Sequence, residues 1–233
     1  MLPRENSKMA DALTANKFLA RLRALNSEDD LVGLRMGEIF KLGKEFSAMP
    51  VGEIEKLMES PVHKVRAGAL SVMGQCAKGR NCTPERLAEL YDLYIRRHDR
   101  INSWDLVDLA AYYVVGRFLA TRSRKPLYKL ARSKDPWERR SAIVATAHFI
   151  LKMKEVDDTF AIAEILVNDR EESVNKGTGW MLRTAGDVDR KRLLEFLDQH
   201  ATTMPRIALR YSIEKLNKDQ RAHYLNLKTV NDA

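Results

Sequence analysis

The chain has 233 residues, of which 45% are hydrophobic and 31% charged, and a formal net charge of +8. These proportions are typical of a globular protein large enough for a sizeable core, and they exclude a disordered tail. No apolar run approaches the length of a bilayer-spanning helix, and the N-terminal residues lack the apolar region of a secretion signal, so we expect a cytoplasmic protein with no membrane partner.

The positive charge is distributed unevenly along the chain. Residues 1–60 hold 9 Lys/Arg and 10 Asp/Glu, whereas residues 61–233 hold 31 and 22. Basic residues cluster in RSRK (122–125), ERR (138–140) and DRKR (189–192), and Arg206 and Arg210 follow. A polyanion is a natural partner for such a chain, because Lys and Arg contacts to phosphate release counterions. A basic surface without a specific partner explains the charge equally well.

Helical patterns follow one another along the chain, separated by short segments that carry Pro, Asp, Asn or Ser, and strands are hard to place. In chain order, the clearest predicted helices are 62–77, 83–98, 103–120, 136–153, 171–186 and 204–216. Thr83-Pro84 and Asp135-Pro136 each place a capping residue before a proline at the first helical position. Residues 217–233 are left as a C-terminal tail without an assigned role.

The predicted helices recur in pairs. The second helix of each pair begins near residues 31, 62, 102, 136, 171 and 204, and these intervals are typical of two-helix repeats. RAGAL (66–70), RSAIV (140–144) and KGTGW (176–180) also show weak internal similarity, each with a basic residue before small and apolar ones. Stacked helix pairs share a core that one pair cannot form alone. We therefore predict a single domain over 1–233, an all-α solenoid of about six helix pairs with a concave basic face.

The segment NSWDLVD (102–108) places two carboxylates near the beginning of a predicted helix. Asn102 or Ser103 is a suitable N-cap, and Asp105 then lies in the first turn, where free amides favour a carboxylate. Asp108 lies one turn deeper among apolar residues and shares a helix face with Trp104. A carboxylate in that position is costly unless it is paired or functional. A salt bridge to a neighbouring helix, for instance to Arg140, is the alternative to a catalytic role.

Two glycines precede Trp180 in the segment NKGTGW. Glycine within a helix costs roughly 1 kcal/mol relative to alanine, so Gly177 and Gly179 indicate that something packs closely against this helix. That neighbour is either another helix or a nucleic-acid backbone beside the Trp180 indole. Arg140 carries a planar guanidinium that suits a carboxylate or a phosphate. Trp137, which precedes it, is expected to pack in the core.

Other chemical motifs are missing from the sequence. It has no phosphate-binding P-loop, no dinucleotide-binding glycine motif and no HExxH, and its five histidines lack metal-ligand spacing. Cys76 and Cys82 lack the second pair of ligands that a structural zinc site needs, so we expect both to be reduced. We predict no cofactor, no nucleotide and no metal.

Several of these segments together resemble the signature blocks of the AlkD-type DNA alkylation repair family. They are SWDLVD (103–108), WERRSAIV (137–144), NKGTGWMLRTAG (175–186) and MPRIALRYSIEKL (204–216), with GLRMGEIFKLGKEF (33–46) similar to an earlier block. The likeness spans roughly 31–216. It implies HEAT-like helix pairs and a monofunctional DNA glycosylase that removes cationic alkylpurines, such as 3-methyladenine and 7-methylguanine, without flipping the base into a pocket as most base-directed enzymes do.

The resemblance also implies roles for individual residues. By position, Asp108 matches the catalytic aspartate, Trp104 and Trp180 line the lesion site, and Arg140 holds a backbone phosphate. Ser103 stands where some members carry another aromatic residue. Additional DNA contacts are expected from basic residues of the later repeats, namely Arg139, Lys176, Arg183, Arg206 and Arg210.

The expected partner is duplex DNA with alkylated bases, bound by a monomer. Two other hypotheses remain open at this point. The first is a non-catalytic binder of branched or flapped DNA that uses the same basic face. The second is a protein-interaction scaffold, which is a common use of helical repeats, and it predicts basic residues that are neutralised by acidic neighbours.

Overall fold

A computed structural model describes residues 13–25, 31 and 33–227, and they form two compact units that meet in sequence at Phe118 and Leu119. The helices of the first unit are α1 Ala15–Ala24, α2 Met36–Glu45, α3 Val51–Met58, α4 His63–Lys78, α5 Pro84–Arg96 and α6 Trp104–Ala110. Those of the second unit are α7 Lys125–Leu130, α8 Pro136–Ala145, α9 Asp157–Leu166, α10 Glu172–Gly186, α11 Arg190–His200, α12 Arg206–Ser212 and α13 Lys218–Asn226. No strand occurs among these described residues.

The first unit is built as two layers of helices. The second helices of successive pairs, α2, α4 and α6, pack side by side, and α1, α3 and α5 form the other layer. The core between the layers is apolar and includes fully buried Phe18, Ile39, Leu70 and Met73. Burying a side chain of this size stabilises the fold by about 1.5–3 kcal/mol, which is why the apolar stripes of the two layers face each other.

The second unit repeats this arrangement. Here α8, α10 and α12 pack side by side, while α9 and α11 lie against α10 in the other layer. Helix α13 is attached by the Tyr224 hydroxyl, which donates to Asp198 Oδ1 at 2.7 Å on α11. Arg206 Nη2 also donates to the Leu225 carbonyl at 2.7 Å. The residues predicted to form a tail therefore include a docked helix; residues 228–233 lie outside the described part of the chain.

The prediction of an all-α chain of paired helices is confirmed, since α1 to α12 form six successive pairs in the described residues. Both predicted caps are present: Thr83 Oγ1 accepts from the Arg86 amide at 3.2 Å, and Asp135 Oδ1 accepts from the Trp137 amide at 2.9 Å. The second helix of the first pair begins at Met36, later than expected near residue 31. The single domain over 1–233 stays a prediction.

Three predicted helices differ from the structure in their interior or at their end. The helix expected over 103–120 changes from α to π at Ala111–Gly116 and ends with one α-helical turn, Arg117–Leu119. The helix expected over 136–153 likewise finishes in a π segment, Phe149–Met153. The helix expected over 204–216 is shorter, because α12 ends at Ser212.

Candidate active site

Asp108 lies in α6 and faces an open cavity of about 250 Å³ in the first unit. Asp108 is half-buried, so this residue is neither withdrawn into the core nor fully exposed. Helices α2, α4 and α6 supply the walls, and the residues that share the cavity with Asp108 are Phe40, Ser71, Gly74, Gln75, Lys78, Leu109 and Tyr113. A partly desolvated carboxylate beside aromatic side chains is an arrangement that can stabilise positive charge on a bound group.

Trp104, one turn before Asp108 on α6, projects into solvent with 59% of its surface exposed. Tryptophan is usually well buried, because its large apolar surface is costly to hydrate. The spacing of four residues places the Trp104 and Asp108 side chains on one face of the helix. The structure therefore places an exposed Trp104 and a half-buried Asp108 one turn apart on α6. Their joint role at a lesion stays a prediction.

The first turn of α6 is held by Asp105. Its Oδ1 accepts from the Ser103 hydroxyl at 2.6 Å, and its Oδ2 lies 2.7 Å from His63 Nε2 on α4. Burial opposes ionisation of this carboxyl group, but the hydrogen bonds from Ser103 and His63 outweigh that effect, so the pKa of Asp105 lies below its usual value. Ser103 is the N-cap, yet its hydroxyl binds Asp105 rather than a backbone amide.

The π segment after α6 determines what lies beside Asp108. A π turn closes i→i+5 hydrogen bonds, so it accommodates one more residue than an α turn, and such insertions are frequent at functional sites. Asp108 and Tyr113 are five residues apart and line the same cavity. The Tyr113 ring contacts the Tyr112 ring with a centroid separation of 4.2 Å, and Lys78 Nζ lies 5.7 Å from the Tyr113 centroid.

Sequence reasoning missed the cavity residues Gln75, Lys78 and Tyr113. Lys78 is the last residue of α4, and nothing in its local pattern distinguishes it from a solvated basic side chain. The pairing of α4 with α6 depends on a close helix approach: a Cβ added at Gly74 would collide with the Leu109 carbonyl oxygen. Gly74 was the available signal, because glycine inside a helix marks such approaches.

Arg140 lies on α8 in the second unit and is almost entirely buried, with 5% of its surface exposed. Its Nη1 donates to the Ser173 carbonyl at the beginning of α10. A Cβ built on Gly177 would lie 3.2 Å from that Nη1, so this glycine leaves room for the guanidinium. Trp180, one turn further along α10, is half-buried. Arg140 and Trp180 thus belong to adjacent helices of one unit.

The close neighbours of Gly177 and Gly179 on α10 are protein atoms. A Cβ on Gly179 would lie 2.6 Å from Tyr211 Cβ and would also collide with the Ala208 carbonyl oxygen, both on α12. Gly177 similarly faces α8. Of the two explanations left open by the sequence, neighbouring helices account for these glycines, and a nucleic-acid backbone is not needed to explain them.

Arg139 is engaged in holding two repeats together. Its Nε and Nη2 donate to the two Asp169 carboxylate oxygens at 2.6 and 3.0 Å, and its Nη1 donates to the Ser133 and Lys134 carbonyls at 3.0 Å each. The Asp169 carboxylate is 6% exposed, so this is a buried, bidentate ion pair. A DNA contact by Arg139 stays a prediction, and this geometry does not favour it.

Arg66 connects two successive repeats of the first unit in the way that Arg139 does in the second. Like Arg139, it is the fourth residue of the second helix of its pair, and its Nη1 donates to the Ser60 and Pro61 carbonyls at 2.9 and 3.0 Å. Its Nη2 donates to Asn102 Oδ1 at 3.0 Å in the loop before α6. The structural equivalent of Arg66 is therefore Arg139. The alignment of RAGAL (66–70) with RSAIV (140–144) had matched Arg66 with Arg140, one residue later.

Two other predicted DNA-binding residues form ion pairs with acidic neighbours. Lys176 Nζ lies 2.5 Å from Glu172 Oε1 one turn earlier on α10, and this hydrogen bond raises the pKa of Lys176. Arg183 pairs with Glu214. Exposed pairs of this kind contribute little to stability and exchange readily for a phosphate, so they leave a DNA contact possible without supporting it.

The last two predicted DNA-binding residues differ in their surroundings. Arg206 is half-buried and holds α13 through the Leu225 carbonyl, and its buried Nη1 has no hydrogen-bond partner among the described residues. Arg210 on α12 is exposed. Of the four arginines in this set, Arg210 is thus the one most accessible to a polyanion.

Cys76 and Cys82 form no disulfide in the structure. Cys82 is buried and Cys76 half-exposed, and both are free thiols. Burial is the main reason why the pKa of Cys82 is raised to about 11, with the nearby Cys76 adding to the effect. A thiol with such a pKa is a poor nucleophile at neutral pH, which agrees with the minor structural role expected for it.

Comparisons with known proteins agree with the fold and identify the family. No helix in the described residues combines the length and apolarity needed to cross a bilayer. A solved structure from Enterococcus faecalis, described as a predicted DNA alkylation repair enzyme, superposes with a TM-score of 0.61 at 18% identity, covering 88% of this chain and 95% of that one. No curated protein matches the sequence. The family model described as "DNA alkylation repair enzyme" matches residues 4–216, and the chain therefore belongs to the DNA alkylation repair enzyme family.

Proposed function

We propose that this protein is a monofunctional DNA glycosylase that hydrolyses the N-glycosidic bond of cationic alkylated purines, such as 3-methyladenine and 7-methylguanine, in duplex DNA. The observation that carries the proposal is the half-buried residue Asp108, which lines an open cavity, with the exposed Trp104 one turn before it on α6. Membership of the DNA alkylation repair enzyme family supports damaged DNA as the substrate.

The chemistry of such lesions suits a site with a single carboxylate. An N3- or N7-alkylated purine is already positively charged, so its glycosidic bond is weak and needs no strong general acid. When the C1′–N bond breaks, its electron pair stays on the purine, which becomes neutral, and positive charge develops on the deoxyribose. Water then forms the new C1′–O bond and loses a proton to solvent.

Asp108 is proposed to stabilise the charge that develops on the sugar. A fixed anion in a partly desolvated site interacts with an oxocarbenium-like group more strongly than a hydrated anion does, and it also orients the attacking water. Trp104 would hold the cationic nucleotide through cation–π contact, which explains why so large an apolar side chain projects into solvent.

Residues of the second unit are proposed to bind the duplex. Residues 119–233 hold 22 Lys/Arg and 16 Asp/Glu, which is most of the positive excess of the chain. Arg210 offers an exposed guanidinium. From the family resemblance we also propose DNA contacts for Arg140 and Trp180 of this unit, and Arg140, which is 5% exposed, would have to become more accessible to reach a phosphate. Such contacts would position the DNA without reading its sequence.

The direct test is release of methylated purine from alkylated DNA. We expect release by the wild type and a roughly 100-fold slower rate for Asp108→Asn, because one preorganised charge in a water-poor site is worth about that much. Asp92→Asn is the matched control, since it removes an exposed carboxylate on α5, and its rate should equal that of the wild type. No release by folded wild-type protein at low salt contradicts the proposal.

A protein-interaction scaffold is the second candidate, and the acidic partners of the basic residues favour it. Arg139, Lys176 and Arg183 each pair with a carboxylate, as that hypothesis predicted. The scaffold predicts no DNA affinity and no base release. Salt-dependent binding of undamaged duplex by the wild type would therefore contradict it, whatever the result with Asp108→Asn.

A further inference from the structure

Three polar side chains share the cavity with Asp108 and make no hydrogen bond to any other described residue. They are Gln75, Lys78 and Tyr113, and they come from two helices, α4 and the π segment after α6. Several polar groups that converge on one cavity without hydrogen-bond partners in the protein are typical of a binding site. The cation among them, Lys78, suits an anion, and the Gln75 amide can donate to the oxygens of that anion.

Lys78 is held in place by Tyr113. Its Nζ lies 5.7 Å from the Tyr113 ring centroid, within the range of a cation–π contact, and the lysine is otherwise exposed. The ring of Tyr113 is itself fixed at 4.2 Å from Tyr112. A long, flexible side chain thereby has a preferred position at the mouth of the cavity, which lowers the entropy it loses when it binds an anion.

We infer that Lys78 binds the backbone phosphate next to the damaged nucleotide and so positions the lesion sugar over Asp108, with the ring of Tyr113 holding the ammonium group in place. This inference rests on the proposed function. A deoxyribose and its flanking phosphate are bonded neighbours, so a cavity that holds the sugar at Asp108 brings a phosphate within reach of Lys78. Lys78 is therefore a positioning residue.

The charge balance of the cavity supports this assignment. An unneutralised ammonium in the cavity that Asp108 lines would oppose the positive charge that develops on the sugar. Once Lys78 is bound to a phosphate, the pair is close to neutral and no longer opposes that charge. Lys78 thus promotes the reaction when DNA is bound with a phosphate at Lys78 and the lesion sugar at Asp108.

The experiment measures binding of a labelled, undamaged duplex at several salt concentrations, from about 50 to 200 mM. We expect Lys78→Ala to bind roughly tenfold more weakly at low salt and to lower the slope of log K against log salt by about 1, as for the loss of one phosphate contact. Lys78→Arg should restore both. Lys56→Ala is the control, because Lys56 is an exposed lysine on α3, away from the cavity, and it should match the wild type.

The role of Tyr113 is tested in the same assay. Tyr113→Phe keeps the ring and should bind like the wild type, whereas Tyr113→Leu should weaken binding about two- to fivefold at low salt. If Tyr113→Leu binds like Tyr113→Phe, the ring does not hold Lys78. A melting temperature close to that of the wild type checks that each variant is folded, and Lys78→Gln replaces Lys78→Ala if the latter is not.

The results separate this inference from the proposed function. If the wild type binds DNA and releases methylated purine while Lys78→Ala has the affinity and salt slope of Lys56→Ala, the inference is wrong and the proposed function stands. If the wild type binds no DNA at all, the proposed function fails. A lower slope restored by Lys78→Arg supports Lys78 as the phosphate contact, because a purely structural role would not change the slope.

Discussion

Gly179→Ala tests whether the glycines of α10 exist for packing between helices. The new Cβ would lie 2.6 Å from Tyr211 Cβ and would meet the backbone carbonyl of Ala208, so α10 and α12 must separate. Overpacking of this kind costs about 1–3 kcal/mol, and the clash with backbone places it at the upper end. Alanine recovers roughly 1 kcal/mol of helix propensity. The net expectation is a loss of about 2 kcal/mol.

Gly52→Ala is the matched control for this substitution. Gly52 is also helical, in α3, but a Cβ there has no heavy atom within 4 Å, so alanine should raise the free energy of unfolding by about 0.5 kcal/mol. Thermal melts and urea titrations followed by circular dichroism measure both variants. For a chain of this size, the loss at Gly179 corresponds to a fall in Tm of roughly 4–8 °C.

The two explanations for Gly179 predict opposite results. If the glycine were needed for a close approach of nucleic acid, Gly179→Ala would be as stable as Gly52→Ala and would bind DNA more weakly. A Gly179→Ala protein at least as stable as the wild type would therefore refute the packing argument. Instability of the free protein, in the absence of DNA, would support it.

Two further predictions concern ion pairs. Arg139→Ala should lower the free energy of unfolding by about 3 kcal/mol, because it leaves the buried Asp169 carboxylate unpaired. Arg210→Ala, at an exposed residue, should change it by less than about 0.5 kcal/mol. Urea titration compares the two variants, and equal effects would contradict the structural role of Arg139. The pKa of Asp105 is lowered in the folded protein, so its contribution to stability is present above its unfolded pKa of about 3.9 and is lost as the pH falls through the folded pKa. Asp105→Asn should therefore cost about 1 kcal/mol near pH 7 and progressively less below about pH 4, and a difference from the wild type that is independent of pH would argue against the pairing with His63.

The helix boundaries show how far local sequence information reaches. Thr83 and Asp135 cap their helices as predicted, because a cap depends on residues within three positions of it. The helix in the predicted tail had a similar signal that was missed: Asn217 accepts from the Gln220 amide at 2.9 Å, in an N-x-x-Q pattern typical of a helix start. The π segment at Ala111–Gly116 has no such local signal.

The contacts of two arginines show what the local sequence does not predict. Arg139 and Arg140 are adjacent in one basic cluster, and DNA contacts were expected for both from the family resemblance. In the structure, Arg139 pairs with Asp169, 30 residues away, and Arg140 is buried against α10. The packing of successive repeats decides which of two neighbouring arginines forms an ion pair with a buried carboxylate. The spacing of residues within one helix does not predict that choice.

By itself, the sequence determined the helix-pair architecture, the family, and the pairing of Trp104 with Asp108 on one helix face, because these depend on hydrophobic periodicity, caps and i→i+4 spacing. Tertiary structure decided which side chains surround Asp108. Lys78 is 30 positions before it in the chain, and it reaches the same cavity only because α4 packs against α6 at Gly74. Contacts between helices are fixed by the complementary packing of whole surfaces, which a one-dimensional pattern does not specify.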